Sequence, residues 1–460
     1  MSESSGFPYF KEVAIGALAG LGALALIIGG FSISGAATNN NANGPSNGNN
    51  NSAAPSASAS ASVQACSVKD LAEDPLLGEL HAVVINSATD TVLFDRSADL
   101  PAPTGSTLKL LTATAALQTF GQNYRFDTRV MRDAADPSVL YLVGGGDVTL
   151  SRTKPGTQSV YKNAPKLNDL AVQVNAALGT TGTISKIVVD GSYFTGNQWE
   201  PTWERSEQTK GYMSQVSALQ VDGDRNDPTK ETSPRSTKPE LRAGGWFKQA
   251  IGAAAANAVI VQGVTPVNAT QVAKVSSQPL STWILHMLQV SDNTQAEALA
   301  RLVSLKLGFD GSFASIDPAM KLALKNANLD ATGSTLKDGS GLSFSNAVSP
   351  TFMAKVVNQI YKGVGNFMVT KQSLPVAGET GSLSARFKGE LADASGKIFA
   401  KTGWLKQEYS LAGYYMSADG STSYFVVYSI GDKEVGIPNR DAMDKLVAGF
   451  FRCGQSLGNE

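Results

Sequence analysis

The chain has 460 residues with 38 basic and 39 acidic side chains, and this near-zero balance argues against a nucleic-acid binder, which needs a basic excess. Its 42% hydrophobic content excludes wholesale disorder, and its length suits two domains. Because the only cysteines are Cys66 and Cys453 and the only histidines are His81 and His286, a four-cysteine zinc site is excluded and a multi-histidine metal centre is nearly so. If the protein is a hydrolase, we expect its proton chemistry to use a group other than histidine.

An uncharged apolar stretch, VAIGALAGLGALALIIGGFSIS, occupies residues 13–34. Roughly 20 such residues span a bilayer, whereas the apolar region of a signal peptide is nearer 7–15 residues. Length therefore favours a retained transmembrane anchor, with residues 1–12 as a cytoplasmic N-terminus. The small residues Ser34, Gly35, Ala36 and Ala37 would also suit a signal peptidase, so a cleaved signal segment stays an alternative, and a buried core helix is a third.

Residues 37–65 are of low complexity, rich in Asn at first and then in Ser, Ala and Pro. A segment with almost nothing apolar to bury predicts a disordered, flexible linker. A membrane segment followed by a linker places the remaining chain outside the membrane.

The globular part begins at Cys66, and its patterns predict helices and strands near both ends. The predicted strands are 82–86, 92–95, 397–404, 409–416 and 423–430. The predicted helices are 70–77, 106–117, 279–290, 295–305 and 442–451. Strands from both chain ends would complete one antiparallel sheet, with the first and last helices packed together on its face.

That arrangement brings the two cysteines together, because Cys66 and Cys453 each lie just outside one of the terminal helices. Exported compartments permit disulfides, and two cysteines leave a single pairing. We predict a Cys66–Cys453 bridge, with two unpaired thiols as the alternative.

Serine-lysine chemistry is one route to acyl transfer without histidine, and it needs an S-x-x-K spacing that places both side chains on one helix face. Four copies occur, at Ser106, Ser151, Ser159 and Ser334. Only Ser106–Lys109 follows a turn and precedes a long apolar helical run. The Ser334 copy repeats the tetrapeptide STLK but leads directly into the turn sequence DGSG. Ser106 is therefore the candidate nucleophile, and a helix N-cap serine is the alternative interpretation.

Two further tripeptides strengthen this interpretation. Ser291-Asp292-Asn293 lies between two predicted helices, and Lys401-Thr402-Gly403 lies on a predicted strand. In the order S-x-x-K, S-x-N, K-T-G, these motifs resemble those of the penicillin-recognising serine acyltransferases, which include penicillin-binding proteins and serine β-lactamases.

The wide separation of the first two motifs narrows the resemblance, because a compact β-lactamase needs far fewer residues between them. The chain resembles the class C low-molecular-mass penicillin-binding proteins, the D-Ala-D-Ala carboxypeptidase/endopeptidase (peptidase S13) family. Further similar segments are 144–150 (GGGDVTL), 190–194 (DGSYF), 216–219 (VSAL), 338–343 (DGSGLS), 381–383 (GSL) and 386–387 (RF). The resemblance implies an α/β (α+β) fold whose β-lactamase/transpeptidase-like domain comprises 66–128 and 279–460. It also implies a five-stranded antiparallel sheet flanked by helices, and an inserted domain at 129–278.

The resemblance also implies roles for the motif residues. Ser106 would be the acylated nucleophile and Lys109 its base. Ser291 and Lys401 would pass a proton to the leaving amine, and Asn293 would bond the substrate amide.

The same resemblance assigns substrate binding to the strand that carries the third motif. Thr402 and Gly403 would line the carboxylate site, and the backbone N–H groups of Ser106 and Trp404 would form the oxyanion hole. Two positions depart from the family pattern: Trp404 replaces a hydroxyl residue, and Phe344 replaces an arginine found in many relatives. In some relatives, an aromatic and acidic group in the insertion binds the free amine of a diaminopimelate side chain. A loose match places this group at Trp203, Glu207 and Tyr212.

The expected activity is that of an extracytoplasmic serine-type D-Ala-D-Ala carboxypeptidase, with endopeptidase activity also open. It would act on peptidoglycan stem peptides at the bacterial cell membrane or envelope, need no metal or organic cofactor, and be inhibited covalently by β-lactams. The alternatives are a serine β-lactamase and a low-turnover cell-wall-binding protein of the same fold.

Overall fold

The computed structural model describes residues 66–179 and 182–458. The predicted cytoplasmic N-terminus, the anchor or signal segment and the linker all lie outside these residues. Within the described ranges, no helix has both the length and the apolar character required to cross a bilayer.

Five strands from both ends of the described chain form the first sheet, in the order β2-β1-β10-β9-β8. All neighbouring strands in it are antiparallel, and β1 pairs with β10 from Glu79 opposite Ile430 to Asn86 opposite Ser423. The five-stranded antiparallel sheet predicted from the resemblance is thereby confirmed. Its strands are β1 (Glu79–Asn86), β2 (Val92–Arg96), β8 (Ile398–Leu405), β9 (Glu408–Met416) and β10 (Thr422–Ile430).

Helices cover both faces of this sheet because alternate strand residues are apolar on each side. On one face, Val83, Ala412 and Val426 belong to a core shared with a group of central helices. On the other face, Val84 and Phe425 pack with the last helix. The helices of the first face are α2 (Lys109–Phe120), α6 (Leu280–Val290), α7 (Asn293–Lys306), α8 (Ile316–Asn326), α9 (Pro350–Lys362) and α10 (Phe367–Ser373), and the last helix is α11 (Ile437–Cys453).

The first predicted helix is shorter than expected. Instead of one helix over 70–77, the structure has α1 (Lys69–Ala72) and a separate 3₁₀ turn at Pro75–Leu77. Proline disfavours helical backbone at the preceding residue, and Asp74 is extended, with its carboxylate accepting the N–H of Leu76. The sequence pattern missed this break because the apolar periodicity continues across it.

A second sheet lies between α2 and α6 in sequence, with five strands among the described residues in the order β6-β5-β4-β3-β7. Pairs β4–β5 and β5–β6 are parallel, and the others are antiparallel. Asp127 on the first strand faces Ser276 on the last, so the chain enters and leaves this sheet side by side. The strands are β3 (Asp127–Arg132), β4 (Val139–Gly144), β5 (Lys186–Asp190), β6 (Val259–Gln262) and β7 (Thr270–Ser276).

Two helices, α3 (Leu167–Leu178) and α5 (Pro239–Ile251), share one apolar core with this sheet, and a short helix α4 (Ser206–Lys210) lies between them in sequence. That residues 129–278 form a separate domain stays a prediction, because the described residues cluster as one compact unit from Cys66 onward.

A disulfide joins Cys66 to Cys453, as the sequence predicted, with the two Cα atoms 5.4 Å apart. Leu71 of α1 lies against Gly449 of α11, which brings the first and last helices together. The N–H of Cys66 also donates to the carbonyl of Ser456 at 2.7 Å. The two ends of the globular part are therefore held both covalently and by backbone hydrogen bonds.

Candidate active site

Ser106 lies on a 3₁₀ turn, Gly105–Leu108, here called the serine turn, which leads directly into α2. In a 3₁₀ turn the residues i and i+3 eclipse, so Lys109 stands directly over Ser106. Gly105 has φ of +45°, a conformation that favours glycine, and a Cβ there would lie 3.2 Å from the backbone nitrogen of Trp404. The sequence thus predicted the helical run correctly but missed the tighter turn at its start.

The Lys109 amine is fully buried and contacts three oxygens. Its Nζ lies 2.8 Å from Ser106 Oγ, 2.7 Å from Asn293 Oδ1 and 2.8 Å from the carbonyl oxygen of Ser340. A neutral amine has two N–H donors and one lone pair, which matches two fixed acceptors and one hydroxyl donor. Burial lowers the Lys109 pKa to about 8, although the carboxylates of Glu297, Asp338 and Asp292 oppose that shift. Lys109 is thereby able to act as a base near neutral pH.

The S-x-N motif forms the junction between α6 and α7. Ser291 ends α6 in the left-handed conformation, with φ of 62° and ψ of 39°. Asp292 then caps α7, its carboxylate accepting the N–H of Gln295 at 2.9 Å. The sharp reversal directs Ser291 Oγ toward one lysine of the site and Asn293 toward the other.

Lys401 on β8 completes the constellation. Its Nζ lies 2.9 Å from Ser291 Oγ and 2.8 Å from the carbonyl oxygen of Thr402. Burial and the neighbouring Lys109 charge hold the Lys401 pKa well below its usual range. The structure therefore brings the predicted residues together as two hydrogen-bonded groups, Ser106–Lys109–Asn293 and Ser291–Lys401, which meet at the S-x-N motif.

Strand β8 presents a free edge to the serine turn. The N–H of Ala400 donates away from β9, to Pro375, and the two-residue repeat of a strand places the N–H groups of Thr402 and Trp404 on the same outer edge. Gly403 lets the turn come close, because a Cβ there would lie 2.8 Å from the Ser106 nitrogen. The N–H groups of Ser106 and Trp404 thus lie next to each other, as an oxyanion hole requires.

Two positions depart from the family pattern: Trp404, next to the serine turn, and Phe344, which follows the loop of Ser340. Thr402 Oγ1 lies 2.7 Å from Ser382 Oγ, which places a second hydroxyl beside the predicted carboxylate site. Trp404 and Phe344 are both about half exposed.

Residues outside the three motifs fix the position of the Ser340 carbonyl that contacts Lys109. The Glu297 carboxylate accepts the N–H groups of Gly339 and Ser340, and burial raises the Glu297 pKa to about 8. Thr112 of α2 donates to the Gly339 carbonyl at 2.6 Å. Together these contacts hold the Ser340 carbonyl against Lys109. The DGSGLS stretch resembles a family segment, but no sequence pattern marks Glu297 or the use of the Ser340 carbonyl.

The three insertion residues have different surroundings. Trp203 is buried, and its indole N–H donates to Asp338 at 2.8 Å, so it packs behind the site rather than lining it. Glu207 lies 3.3 Å from Lys210, and burial raises its pKa. The carbonyl of Tyr212 accepts the Asn293 amide at 3.2 Å. Tyr212 therefore contacts the site through its backbone, and this geometry gives no support to a substrate-binding role for Trp203.

A buried ionic network adjoins the S-x-N motif. Arg225 lies 2.8 Å from Asp292 and 3.7 Å from Glu231, and His286 lies 3.3 Å from Glu231. Glu231, His286 and Asp292 have metal-ligand types, but the guanidinium already provides a cation between the two carboxylates. The network therefore serves to hold Asp292, and through it the reversal at Ser291.

Comparisons with known proteins agree with this geometry. The profile of the D-Ala-D-Ala carboxypeptidase 3 (S13) family matches residues 64–234 and 224–449. A carboxypeptidase of Mycobacterium tuberculosis is 34% identical over 388 residues, covering 84% of this chain and 82% of the relative. Carboxypeptidase DacB of Mycolicibacterium smegmatis is 32% identical over 387 residues, covering 83% of this chain and 82% of the relative.

The fold is also that of a solved structure, penicillin binding protein 4 of Haemophilus influenzae, with a TM-score of 0.71 and 20% identity over 84% of this chain and 99% of that one. The same protein has been solved in complex with a β-lactam, with a TM-score of 0.64, 20% identity and the same coverage. The family resemblance of the three motifs is confirmed: this chain belongs to the D-Ala-D-Ala carboxypeptidase 3 (S13) family of peptidases.

Proposed function

We propose that this protein is a serine-type D-Ala-D-Ala carboxypeptidase that cleaves peptidoglycan stem peptides through an acyl-enzyme on Ser106. The observation that carries this proposal is the bridging position of Lys109, whose amine lies 2.8 Å from Ser106 Oγ and 2.7 Å from Asn293 Oδ1. A serine nucleophile, a buried amine base and two adjacent backbone donors are the parts that acyl transfer needs.

In the acylation step, the neutral Lys109 amine takes the hydroxyl proton as Ser106 Oγ attacks the penultimate D-Ala carbonyl carbon. The backbone N–H groups of Ser106 and Trp404 donate to the oxygen that becomes negative. The C–N bond then breaks, and a proton reaches the departing amine through Ser291, with Lys401 as its neighbour at 2.9 Å. Water hydrolyses the ester and releases the shortened stem peptide. A β-lactam would form the same ester but block water with its opened ring.

Substrate orientation follows from charge. The terminal carboxylate would lie beside the hydroxyl groups of Thr402 and Ser382, next to Lys401 on the same strand. With Trp404 in place of a hydroxyl residue, we expect weaker carboxylate binding than in relatives that follow the family pattern. Endopeptidase action on crosslinks would use the same acyl-enzyme, with a longer leaving group.

The experiment is to incubate the protein with a β-lactam and follow its intact mass over time. We expect a lasting adduct on the wild type and none on Ser106→Ala. The repeated tetrapeptide provides a matched control, because Ser334→Ala removes the serine of the second STLK and should leave the adduct unchanged. Rapid loss of the adduct would instead support a β-lactamase, and no adduct would support a low-turnover binding protein.

Turnover needs a second measurement. Release of D-alanine from a D-Ala-D-Ala stem-peptide mimic should be seen with the wild type and lost in Ser106→Ala. A crosslinked dimer peptide, followed by chromatography, separates endopeptidase from carboxypeptidase action. An enzyme that is acylated by β-lactam but releases no D-alanine would contradict the proposed activity.

We also propose that the protein works on the extracytoplasmic face of the cell membrane, held by residues 13–34. The uncharged length of that stretch and the disulfide in the globular part support this location. Alkaline carbonate extraction of cell membranes, with N-terminal sequencing of the mature protein, tests it. Release of the protein into the soluble fraction with a new N-terminus near Ala37 would show a cleaved signal segment instead.

A further inference from the structure

A buried carboxyl group lies beneath the serine turn and takes no part in the chemistry described above. Glu408 is the first residue of β9 and is completely buried. It faces Leu405 on β8 and Ile430 on β10, so it sits near one end of the sheet between two neighbouring strands. A buried acid normally has a cation or several hydrogen-bond donors, yet neither oxygen of this carboxyl has a well-formed hydrogen bond among the described residues.

The carboxyl belongs to a row of polar side chains, here called the polar row, made up of Glu408, Ser410, Tyr428 and His81. Ser410 follows Glu408 on the same face of β9, Tyr428 lies opposite Ser410 on β10, and His81 lies opposite Tyr428 on β1. The Tyr428 hydroxyl and His81 Nδ1 are also buried without a well-formed hydrogen bond within the described part of the chain, whereas His81 Nε2 lies 3.0 Å from Glu79. Three neighbouring strands thus place unsatisfied polar atoms in one line, which is unusual in an otherwise apolar interior.

The polar row contacts the serine turn directly. Ser410 Oγ donates to the carbonyl of Thr104 at 2.7 Å, at the start of that turn. The groups nearest the Glu408 carboxyl are the Ser410 hydroxyl and the N–H of Gly105, which directly precedes Ser106. Ser410 also faces Gly403, the residue that lets the turn approach β8. The polar row therefore lies directly beneath the serine turn, which supplies the Ser106 N–H to the oxyanion hole.

The surroundings of Glu408 favour its uncharged form. Burial raises the Glu408 pKa to about 8, only partly opposed by the Ser410 hydroxyl and the Gly105 N–H. Burial and the Glu408 charge also raise the Tyr428 pKa well above its usual range. The other titratable groups on the described elements packed here are Glu79 and His81 on β1, Lys401 on β8 and Lys109 on α2. Glu79 lies opposite Ile430, two strands away from Glu408, and its carboxylate is 3.0 Å from His81 Nε2. The two lysines point their amines at Ser291 and Ser106 and not at the carboxyl.

We propose that Glu408 is a positioning residue that supports the serine turn and oxyanion hole when protonated and impairs acylation when ionised. In its neutral form the carboxyl lies next to the Gly105 N–H and adds no negative charge to the region where the substrate oxygen becomes negative. An ionised carboxylate would pull the Gly105 N–H toward itself and place a second negative charge in the same low-dielectric region, opposing the oxyanion. This inference rests on the proposed acylation of Ser106.

The test is the pH dependence of β-lactam acylation for the wild type and for Glu408→Gln, which keeps the shape and the neutral state. In the wild type, the acylation rate should fall about tenfold per pH unit above roughly pH 8, as the carboxyl ionises. In Glu408→Gln the rate near pH 7 should stay within about threefold of the wild type, and the alkaline fall should disappear. Glu434→Gln, at an exposed glutamate, is the matched control and should keep the wild-type profile.

A second variant and a spectroscopic measurement separate positioning from general stability. Glu408→Leu stays neutral but cannot hydrogen-bond, so acylation should slow about tenfold or more at pH 7 with no alkaline fall. Infrared difference spectra across the same pH range should show titrating carboxyl signals from both Glu297 and Glu408 in the wild type, and only the Glu408 signal should be missing in Glu408→Gln. An alkaline fall that persists in a folded Glu408→Gln protein would overturn the proposal. Failure of the wild type to form an adduct at any pH would contradict the acylation step itself.

Discussion

At the scale of single residues, the two lysines of the site have different neighbours and therefore different tasks. Lys109 faces carboxylates at Glu297, Asp338 and Asp292, which limit the lowering of its pKa, whereas no carboxylate among the described residues opposes the lowering of the Lys401 pKa. Lys109 thus remains a base of useful strength. Lys401 is the more easily neutralised of the two, which suits a relay partner for Ser291.

A pH profile follows from the Lys109 pKa. Below about pH 8 the neutral fraction of this amine falls tenfold for each pH unit, so the acylation rate should fall about tenfold between roughly pH 7 and pH 6. Stopped-flow mixing with a fluorescent penicillin measures this rate.

The lysine itself is tested by substitution. Lys109→Ala should slow acylation by about 10²–10⁴-fold, the range typical of a lost general base. Lys337→Ala is the control, because Lys337 is the exposed lysine of the second STLK. A flat profile between pH 6 and 8, or an equal loss in both variants, would refute the role of Lys109.

The sequence motifs predicted Ser106, Lys109, Ser291, Asn293 and Lys401 as a group, because short spacings and their order along the chain carry that information. The supporting groups were not predictable in this way. Glu297 acts on Lys109 through the backbone of a loop far away in sequence, and Glu408 lies beneath the serine turn only because β9 pairs with β8. Neither position has a local sequence pattern that marks it.

At the scale of elements, the close approach of strand β8 to the serine turn controls the oxyanion hole. A Cβ at Gly403 would lie 2.0 Å from Ser410 Oγ and 2.8 Å from the Ser106 nitrogen. Atoms at these distances overlap, so strand and turn would have to separate. Steric contact alone therefore explains why glycine occupies the third position of K-T-G, independently of any family pattern.

Gly403→Ala should accordingly leave a folded protein with acylation reduced by at least about 10²-fold, the scale of a lost oxyanion-hole donor. The β-lactam acylation rate and circular dichroism together check this expectation. Gly245→Ala in α5 is the matched control, because its new Cβ would meet no atom within 4 Å. Wild-type acylation in Gly403→Ala would show that β8 tolerates the displacement and that the hole is formed elsewhere.

Element boundaries were predicted well where strong patterns ended at clear turns. The last three strands match their predicted positions to within one residue at each end, and Ser417–Gly420 joins the final two. Other boundaries differ more: α11 begins at Ile437 rather than at the predicted residue 442, and β1 begins at Glu79 rather than at residue 82. Two differences have a clear local cause, at Pro75 in the first helix and at the serine turn. Proline geometry and a glycine with positive φ are local effects that apolar spacing does not record.

At the scale of the whole molecule, the disulfide closes nearly the entire globular part, because Cys66 and Cys453 have a sequence separation of 387. A bridge over a loop of this length restricts the unfolded chain strongly, and removal of a native disulfide typically costs about 2–5 kcal/mol. Both cysteines pack in the core behind the first sheet, on the face opposite the serine turn. Stability and activity should therefore respond differently to its loss.

The variant Cys66→Ser/Cys453→Ser should unfold at a lower temperature by several degrees yet keep the wild-type acylation rate at 25 °C. Differential scanning calorimetry and β-lactam acylation measure the two effects. Ser67→Ala, beside the bridge, should change neither quantity. A parallel loss of acylation in the cysteine variant would show that the bridge also shapes the active site.

The global arrangement could be predicted only in part. The first sheet followed from strand patterns at both chain ends, and the resemblance supplied its topology. The strands of the second sheet were not assigned. Parallel pairs such as β4 with β5 join segments that are far apart in sequence, so no local sequence pattern marks their pairing.

The pairing of β1 with β10 has a consequence for how the enzyme is made. The N-terminal part of a chain is synthesised first, so Ser106 and Lys109 exist long before Ser291 and Lys401. Until β8, β9 and β10 have been synthesised, β1 lacks its central partner and the serine turn has no strand to face. The nascent polypeptide therefore carries an inert serine, and hydrolytic competence arises only after β8, β9 and β10 have been synthesised.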